Sequence, residues 1–323
     1  MISSLAWRPT ADISVLQVRA RILKIIRDFF AKRDVLEVET PLVSRFGVTD
    51  PHITAMQVLL NDKERYYLQT SPEYSMKRLL AAGSGSIYQI TRAFRGGDIG
   101  GLHNPEFTML EWYRLGFDHF KLMTEVDEFL QTVLHTKAAK RITYRDLFKQ
   151  YLSLDPHVAM IEELKNCASR NNINFSDIIS AEATLDDWLN ILFSTCIEPN
   201  LTGDAVWIVY DYPASQAALA KVSDISGIAL AERFEVYFQG MELANGYHEL
   251  TEPKQQLIRF KQDQNIRAQL NKPMMEIDTH LLAAMEFGMP ECAGIALGID
   301  RLIMLAVGAK NIQDVMTFPI DRA

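Results

Sequence analysis

Gln89–Tyr113 reads QITRAFRGGDIGGLHNPEFTMLEWY. Its period-two alternation predicts a strand, a glycine-rich loop and a second strand. Successive side chains on a strand point to opposite faces, so Gln89, Thr91, Ala93 and Arg95 share one side of the first strand. On the second strand Phe107, Met109, Glu111 and Tyr113 share a face, while Leu110 and Trp112 point the other way. If the strands pair, one surface carries a cation, an aromatic plate and a carboxylate. Such a surface suits a nucleotide with a charged tail and a substrate amine; the alternative is an ordinary buried hairpin with a solvated Arg. Other phosphate-loop candidates fail. Gly83-Ser84-Gly85-Ser86 lacks the Lys of a Walker loop, and no G-x-G-x-x-G opens a helix. A nucleotide here has to be held on an antiparallel sheet, by Arg and metal.

Two further stretches carry chemistry. In Arg233–Glu249, RFEVYFQGMELANGYHE, a two-residue turn at Gln239-Gly240 would pair Phe238 with Met241, Tyr237 with Glu242 and Glu235 with Ala244. That register places Glu235, Tyr237 and Glu242 on one face and Phe234, Val236, Phe238, Met241 and Leu243 on the other, the core side. The two carboxylates lie diagonally across neighbouring strands. They either share a hard divalent cation such as Mg2+, bridging phosphate oxygens, or belong to a solvated outer face. Asn245-Gly246 reads as a second turn, after which Glu249 is a candidate for recognising a substrate amine. In Cys292–Arg301, small residues let a strand approach a ligand closely, Gly298 marks the change from strand to helix, and Arg301 falls in the first helical turn. Arg opposes the macrodipole there, and a helix N-terminus with a fixed cation attracts anions.

Outward from these stretches, Leu16–Ala31 is an amphipathic helix. Val35 to Pro41 reads as a strand ended by proline, and Tyr66–Thr70 as a strand running into Ser71-Pro72-Glu73. Proline suits the first turn of the following helix, about Glu73 to Leu80. Ser71 and Glu73 at this junction either face a pocket or serve as a cap with a first-turn acid. Asp118–Leu134 is helical, residues of about 143–199 are mixed and mostly helical without a motif, and Val206–Tyr210 is a buried-type strand. The net charge of −8 disfavours an extended phosphate-binding surface and leaves room for a local basic cleft only. No apolar run reaches the ~18 residues of a membrane span, and MISSLAWRPTADIS is not a secretory signal. The three cysteines are odd in number and widely spaced, so neither a disulfide framework nor a zinc knot is readable. The seven histidines are scattered. The expected compartment is the cytoplasm.

Together these stretches resemble the three signature motifs of class II aminoacyl-tRNA synthetases. The first helix and the strand ending at Pro41 resemble motif one, a dimer-interface element. Phe94-Arg95 with its loop and strand resembles motif two, and Gly298-Ile299-Asp300-Arg301 resembles motif three. HNPEFTMLEWY (103–113) and GMELANGYHELT (240–251) are similar to the lysyl subgroup. Within it, AERFEVYFQGMELANGYHEL and Pro213-Ala214-Ser215-Gln216 are most similar to the elongation factor P β-lysine ligase family. The resemblance implies an α+β fold, a mainly antiparallel sheet flanked by helices. It implies one catalytic domain over 1–323 with the helical insertion at about 143–199, and no anticodon-binding domain. It also implies ATP-dependent activation of (R)-β-lysine and transfer to a lysine side chain of elongation factor P, in a cytoplasmic homodimer without tRNA or membrane.

By the same resemblance Arg95 and Arg301 clamp the ATP phosphates, Phe107 stacks on adenine, and Asn104, Leu243 and Gly298 line the nucleotide site. Glu235 and Glu242 hold Mg2+, and Glu242 also belongs to the ATP site. Ser71, Pro72, Glu73, Tyr113, Asn245, Glu249 and Ala296 surround the amino acid. The chain departs from the family in two places. Gly96 and Gly97 stand where Asn and Glu usually follow the motif-two Arg, so the carboxylate directed at the adenine amine is missing, with Asp98 the nearest replacement. Ala296 stands where lysyl-tRNA synthetases have Gly, as in the β-lysine ligases. Competing readings are a short lysyl-tRNA synthetase-like or amidating enzyme using the same adenylate, and a non-catalytic synthetase-like regulator.

Overall fold

The computed structural model describes residues 7–61, 63–97, 99–173 and 183–323, and the chain divides into two compact units, Met1–Phe117 with Thr251–Ala323, and Asp118–Leu250. The first unit opens with α1 (Ile13–Ala31), β1 (Leu36–Glu37), β2 (Val43–Ser44), β3 (Gln57–Leu60), β4 (Glu64–Leu68), α2 (Glu73–Ala81), β5 (Ile87–Phe94) and β6 (Glu106–Leu115). The second unit contains α3 (His119–Leu134), β7 (Lys137–Thr143), α4 (Tyr144–Leu152), α5 (Ile161–Arg170), α6 (Leu185–Leu192), β8 (Ala205–Pro213), β9 (Val222–Ile225), β10 (Ile228–Phe238) and β11 (Met241–His248). The chain then returns to the first unit with α7 (Pro253–Gln269), α8 (Thr279–Gly288), β12 (Cys292–Gly298) and α9 (Ile299–Val307). Among the described residues no helix is long and apolar enough to cross a membrane.

In the first unit the strands run β1-β5-β6-β12, with β1 parallel to β5 and the other pairs antiparallel. The hairpin pairs as the alternation predicts: Gln89 faces Glu111, Thr91 faces Met109 and Ala93 faces Phe107. Trp112 on the opposite face is fully buried, its ring 5.4 Å from Phe30 of α1, which also stacks on Tyr88 at 4.3 Å. This aromatic core holds α1 against one side of the sheet and leaves the Phe107–Glu111 side for chemistry. Helix α1 begins at Ile13 rather than Leu16, because Val15 and Leu16 already donate their N–H groups to Asp12 O. The expected strand from Val35 to Pro41 shrinks to Leu36–Glu37. Val38 still donates to Tyr88 O, but proline has no N–H with which to continue a ladder, and by Leu42 the carbonyl is serving Gln69 N instead. A second, antiparallel sheet runs β2-β4-β3. Arg267 of α7, 2% exposed, donates to the carbonyls of Val48, Thr49, Ile53 and Pro273, and so fixes the loop whose Thr54 O accepts from Gly96 N at 2.8 Å.

In the second unit the order is β11-β10-β8-β7, with β9 also on β10 and β7 parallel to β8. Helices α4, α5 and α6 fall within 143–199. They share an apolar core with this sheet, including Tyr144, Leu147, Trp188, Leu192, Val209 and Tyr237. The Tyr144 and Phe193 rings lie parallel at 5.3 Å. Asp118 is the N-cap of α3, its carboxylate accepting from Lys121 N at 2.8 Å. Asp118→Ala is expected to lower stability by about 1 kcal/mol, measured as a shift of the chemical-denaturation midpoint.

The turn between β10 and β11 is as predicted, with Gln239 and Gly240 both at positive φ (53° and 71°), the geometry of a tight type I′ connection. The register beyond it differs from the simple hairpin. Phe238 pairs with Met241 and Tyr237 with Glu242, but a bulge follows, so that Val236 opposes Ala244 and Glu235 opposes Asn245 instead of Ala244. One extra residue on β11 absorbs the shift. Asn245-Gly246 is consequently not a turn: both residues stay in the ladder opposite Glu235 and Phe234, whose backbone groups supply the partners that a turn would forgo.

Candidate active site

In the first unit the candidate residues line one face of the sheet. Arg95 follows β5 directly, its backbone N–H on Pro105 O at 2.8 Å and its Nε on Thr70 O at 3.3 Å. Its guanidinium carbon stands 5.3 Å from the centre of the Phe107 ring, a cation–π arrangement. At the other end of the same face, Glu111 is 2% exposed. It accepts from Tyr113 OH at 2.6 Å and from Ser71 OH at 2.8 Å. Strand β12 lies alongside, with Ala296 opposite Glu111 and Gly298 opposite Met109. The face therefore runs from a cation over an aromatic plate to a hydrogen-bonded carboxylate, and small residues border it.

Gly298 is the N-cap of α9, and Arg301 lies in the first turn. A Cβ built on Gly298 would meet nothing nearer than Arg301 side-chain carbons at 3.9 Å, so the protein itself does not demand glycine there. Arg301 Nη2 reaches His103 Nε2 at 2.8 Å, and its Nε approaches Leu102 O at 3.4 Å. Asp300 beside it is buried and ties the helix start to the hairpin. Its two oxygens accept from Arg19 Nη1 and from Thr108 N, each at 2.6 Å. Arg19 Nη2 also donates to Thr108 Oγ1 at 2.6 Å.

The Ser71 hydroxyl donates to Glu111, and its oxygen accepts from Glu73 N at 3.0 Å, bonding the first turn of α2. Pro72 occupies the N-cap itself rather than the first turn of α2, because its carbonyl already takes the first helical bond, from Met76 N. Glu73 is paired with buried Lys77 at 2.7 Å. Asn104 commits both ends of its amide to backbone, donating to Glu106 O at 2.6 Å and accepting from Ile320 N at 3.1 Å; it shapes the approach to β6. The departure at 96–97 is built into the loop. Gly97 adopts φ +90°, and a Cβ on Gly96 would come within 3.0 Å of Thr54 Cγ2, so the Asn-Glu pair of the family pattern would strain this backbone. Asp98 lies outside the described residues.

In the second unit Glu235 is 8% exposed and accepts four hydrogen bonds. Tyr212 OH donates at 2.6 Å and Asn245 Nδ2 at 3.1 Å, with Tyr237 OH and Arg233 Nη2 completing the set. Burial, and then the Glu235 charge, hold both phenols well above their ordinary pKa. They are donors at any working pH. Burial works against the Arg233 cation, but Glu235 outweighs it and leaves the guanidinium more firmly charged than in water. Glu242 is half-buried on the same face, opposite Tyr237. Carboxylate oxygens are the donors a hard divalent cation takes. A carboxylate has about four acceptor positions, so Glu235 could ligate an ion directly only by exchanging one of its four donors. Leu243 is buried at the bulge. Among the described residues Asn245 Oδ1 is buried without a hydrogen-bond partner, and Glu249 is 1% exposed. Sequence reasoning did not single out Tyr212, Arg233, His103 or the Arg19–Asp300–Thr108 network. Arg233 was legible, being two residues from Glu235 and so on its face; the others come from distant chain.

A glycine-rich loop on an antiparallel hairpin with Arg over Phe, and a small-residue strand entering a helix with Arg in its first turn, make up a class II synthetase framework. Residues 3–322 match the family described as tRNA synthetases class II (D, K and N), and the chain belongs to that family. Within it, the chain is 51% identical to the elongation factor P–(R)-β-lysine ligase of Vibrio parahaemolyticus, over 97% of this chain and 98% of that one. It is equally similar, at 51%, to the ligase of the same name from Vibrio cholerae, over 98% of each. The ligase of Mannheimia succiniciproducens is 47% identical over the full length of both.

Proposed function

We propose that this chain activates (R)-β-lysine with ATP and transfers it to a lysine side chain of elongation factor P. The observation that carries the reading is the graded face of the first unit, with Arg95 over Phe107 at one end and the Ser71–Glu111–Tyr113 cluster at the other. It offers a place for a charged nucleotide beside a place for an ammonium-bearing substrate. The relatives' shared name, at about half identity over nearly the whole chain, supports the choice of amino acid and acceptor.

In this reading adenine stacks on Phe107, with Asn104 and Leu243 bordering the nucleotide. The substrate carboxylate attacks the α-phosphorus; a carboxyl–phosphate bond forms, the α–β phosphoanhydride breaks and pyrophosphate leaves. Arg95 and Arg301 stabilise the charge that develops on the leaving phosphates. No side-chain nucleophile is needed, so catalysis is positioning and electrostatics. Glu242, with Glu235 giving up one donor, would hold Mg2+, which when bound supplies charge neutralisation at phosphate oxygens. Asn245 Oδ1, a buried acceptor with no donor among the described residues, suits a substrate ammonium, as does Glu249. On the first unit, Pro72, Glu73 and Ala296 would border the amino-acid end of the Phe107–Glu111 face. The amine of the acceptor lysine then attacks the mixed anhydride, an amide forms, AMP leaves and the amine releases a proton. The full chain works as one catalytic module carrying the 143–199 insertion, as a cytoplasmic homodimer without tRNA.

Gly298→Ala tests the nucleotide end. The added methyl meets no protein atom closer than 3.9 Å, so the thermal midpoint should barely move. A methyl placed where ATP packs should raise the KM for ATP about tenfold or more. An unchanged KM would remove Gly298 from the nucleotide site. The reading as a whole is tested by mixing the chain with ATP and β-lysine, and with elongation factor P or tRNA in parallel reactions, and weighing the acceptor. A mass gain of one β-lysyl group is expected, and a gain seen instead on tRNA would refute the assignment of acceptor.

A further inference from the structure

Two of the histidines that are far apart in sequence come together in the second unit. His119 is the first residue of α3, Glu232 lies on β10, and His248 ends β11. One ligand atom from each lies within 4.8 Å of the others. His119 Nδ1 stands 3.6 Å from Glu232 Oε2, His248 Nδ1 is hydrogen-bonded to that same oxygen, and Asp211 Oδ1 lies 3.9 Å from His119 Nε2. His119 is 5% exposed, and among the described residues neither of its ring nitrogens has a hydrogen-bond partner. Leaving a buried polar group unsatisfied costs roughly 1–3 kcal/mol, so such a group calls for an explanation. None of these residues has a part in the adenylate chemistry above.

We propose that His119, Glu232 and His248 form a binding site for a first-row divalent transition ion, zinc foremost. Two imidazole nitrogens and one carboxylate oxygen are a zinc donor set that leaves a fourth position open; an all-oxygen shell would instead favour Mg2+ or Ca2+. Bonds of about 2.0–2.1 Å in a tetrahedron put donor atoms about 3.4 Å apart, close to the His119–Glu232 spacing of 3.6 Å. The ion would replace the His248–Glu232 hydrogen bond and release its proton. It would satisfy His119 Nδ1, leaving Nε2–H directed at Asp211, the carboxylate–histidine–metal arrangement that orients a ligating imidazole. Burial lowers the His119 pKa, against the opposing pull of Glu232, which keeps the ring in its neutral, ligating form. The ion would staple the start of α3 to β10 and to the end of β11.

The test uses the tag-free full-length chain, stripped with chelator and titrated with Co2+ and then Zn2+. One Co2+ per chain with the absorption of a low-coordinate nitrogen–oxygen site is expected, displaced by one equivalent of Zn2+, and Zn2+ should raise the thermal midpoint. His119→Gln and Glu232→Gln should each weaken Zn2+ binding about 100-fold or more and abolish the thermal shift. Should one variant fail to fold without metal, the other variant and the wild-type stoichiometry still decide. Wild-type uptake well below one equivalent would overturn the proposal, as would Zn2+ affinity unchanged in a folded variant.

Discussion

Arg301→Ala is expected to reduce amino-acid-dependent ATP–pyrophosphate exchange by about 100- to 1000-fold, the usual cost of deleting one preorganised group that meets charge in the transition state. The side chain is half-exposed and reaches His103 Nε2 and the Leu102 carbonyl at the surface. Its loss should therefore leave the denaturation midpoint nearly where it was, since substitutions away from packed features move stability by about 0.5 kcal/mol. Arg301→Lys should recover part of the rate only, because an ammonium keeps the charge and loses the planar fork that grips phosphate. A full loss of exchange with unchanged stability places the residue in the chemistry. Retained exchange would instead point to a synthetase-like regulator that keeps the fold without the reaction.

Glu235→Ala should combine a large stability loss with a loss of activity. It removes the acceptor of Tyr212, Tyr237, Arg233 and Asn245 at once and strands a mostly buried guanidinium. Breaking a buried ion pair from one side typically costs about 3–5 kcal/mol. Arg233→Ala should cost a comparable amount, and the double variant less than the sum, because the second deletion removes the charge that the first exposed. Glu235→Gln separates the two roles. It can still accept hydrogen bonds and should retain more stability, whereas a neutral amide is a poor ligand for a hard cation, so its Mg2+ requirement should rise. Equal Mg2+ dependence in wild type and Glu235→Gln would make Glu235 a purely structural hub and leave the metal to Glu242.

The hairpin was legible because period-two alternation fixes faces without knowledge of distant chain: Phe107, Met109 and Glu111 lie where that rule places them, and Trp112 points into the core. The Gln239-Gly240 turn was legible for a similar local reason. The bulge between the turn and Asn245 was not. Nothing in MELANG distinguishes a continued ladder from a second turn until the backbone groups of Phe234 and Glu235 are available as partners. The Val35–Pro41 strand was overread because its alternation is real while its ladder stops short of the proline. The environment of Glu235 needed Tyr212, 23 residues away, and Asp300 needed Arg19, 281 residues away. Long-range polar networks leave no periodic trace. The pairing of His119 with His248 across Glu232 was invisible for the same reason, since no ligand spacing in the chain announces it.

The most direct test of the central claim is ATP–pyrophosphate exchange with Mg2+, comparing (R)-β-lysine, α-lysine and no amino acid. Exchange should be strongest with (R)-β-lysine and near background without amino acid. Exchange supported by α-lysine alone, or none from well-folded protein, would contradict it.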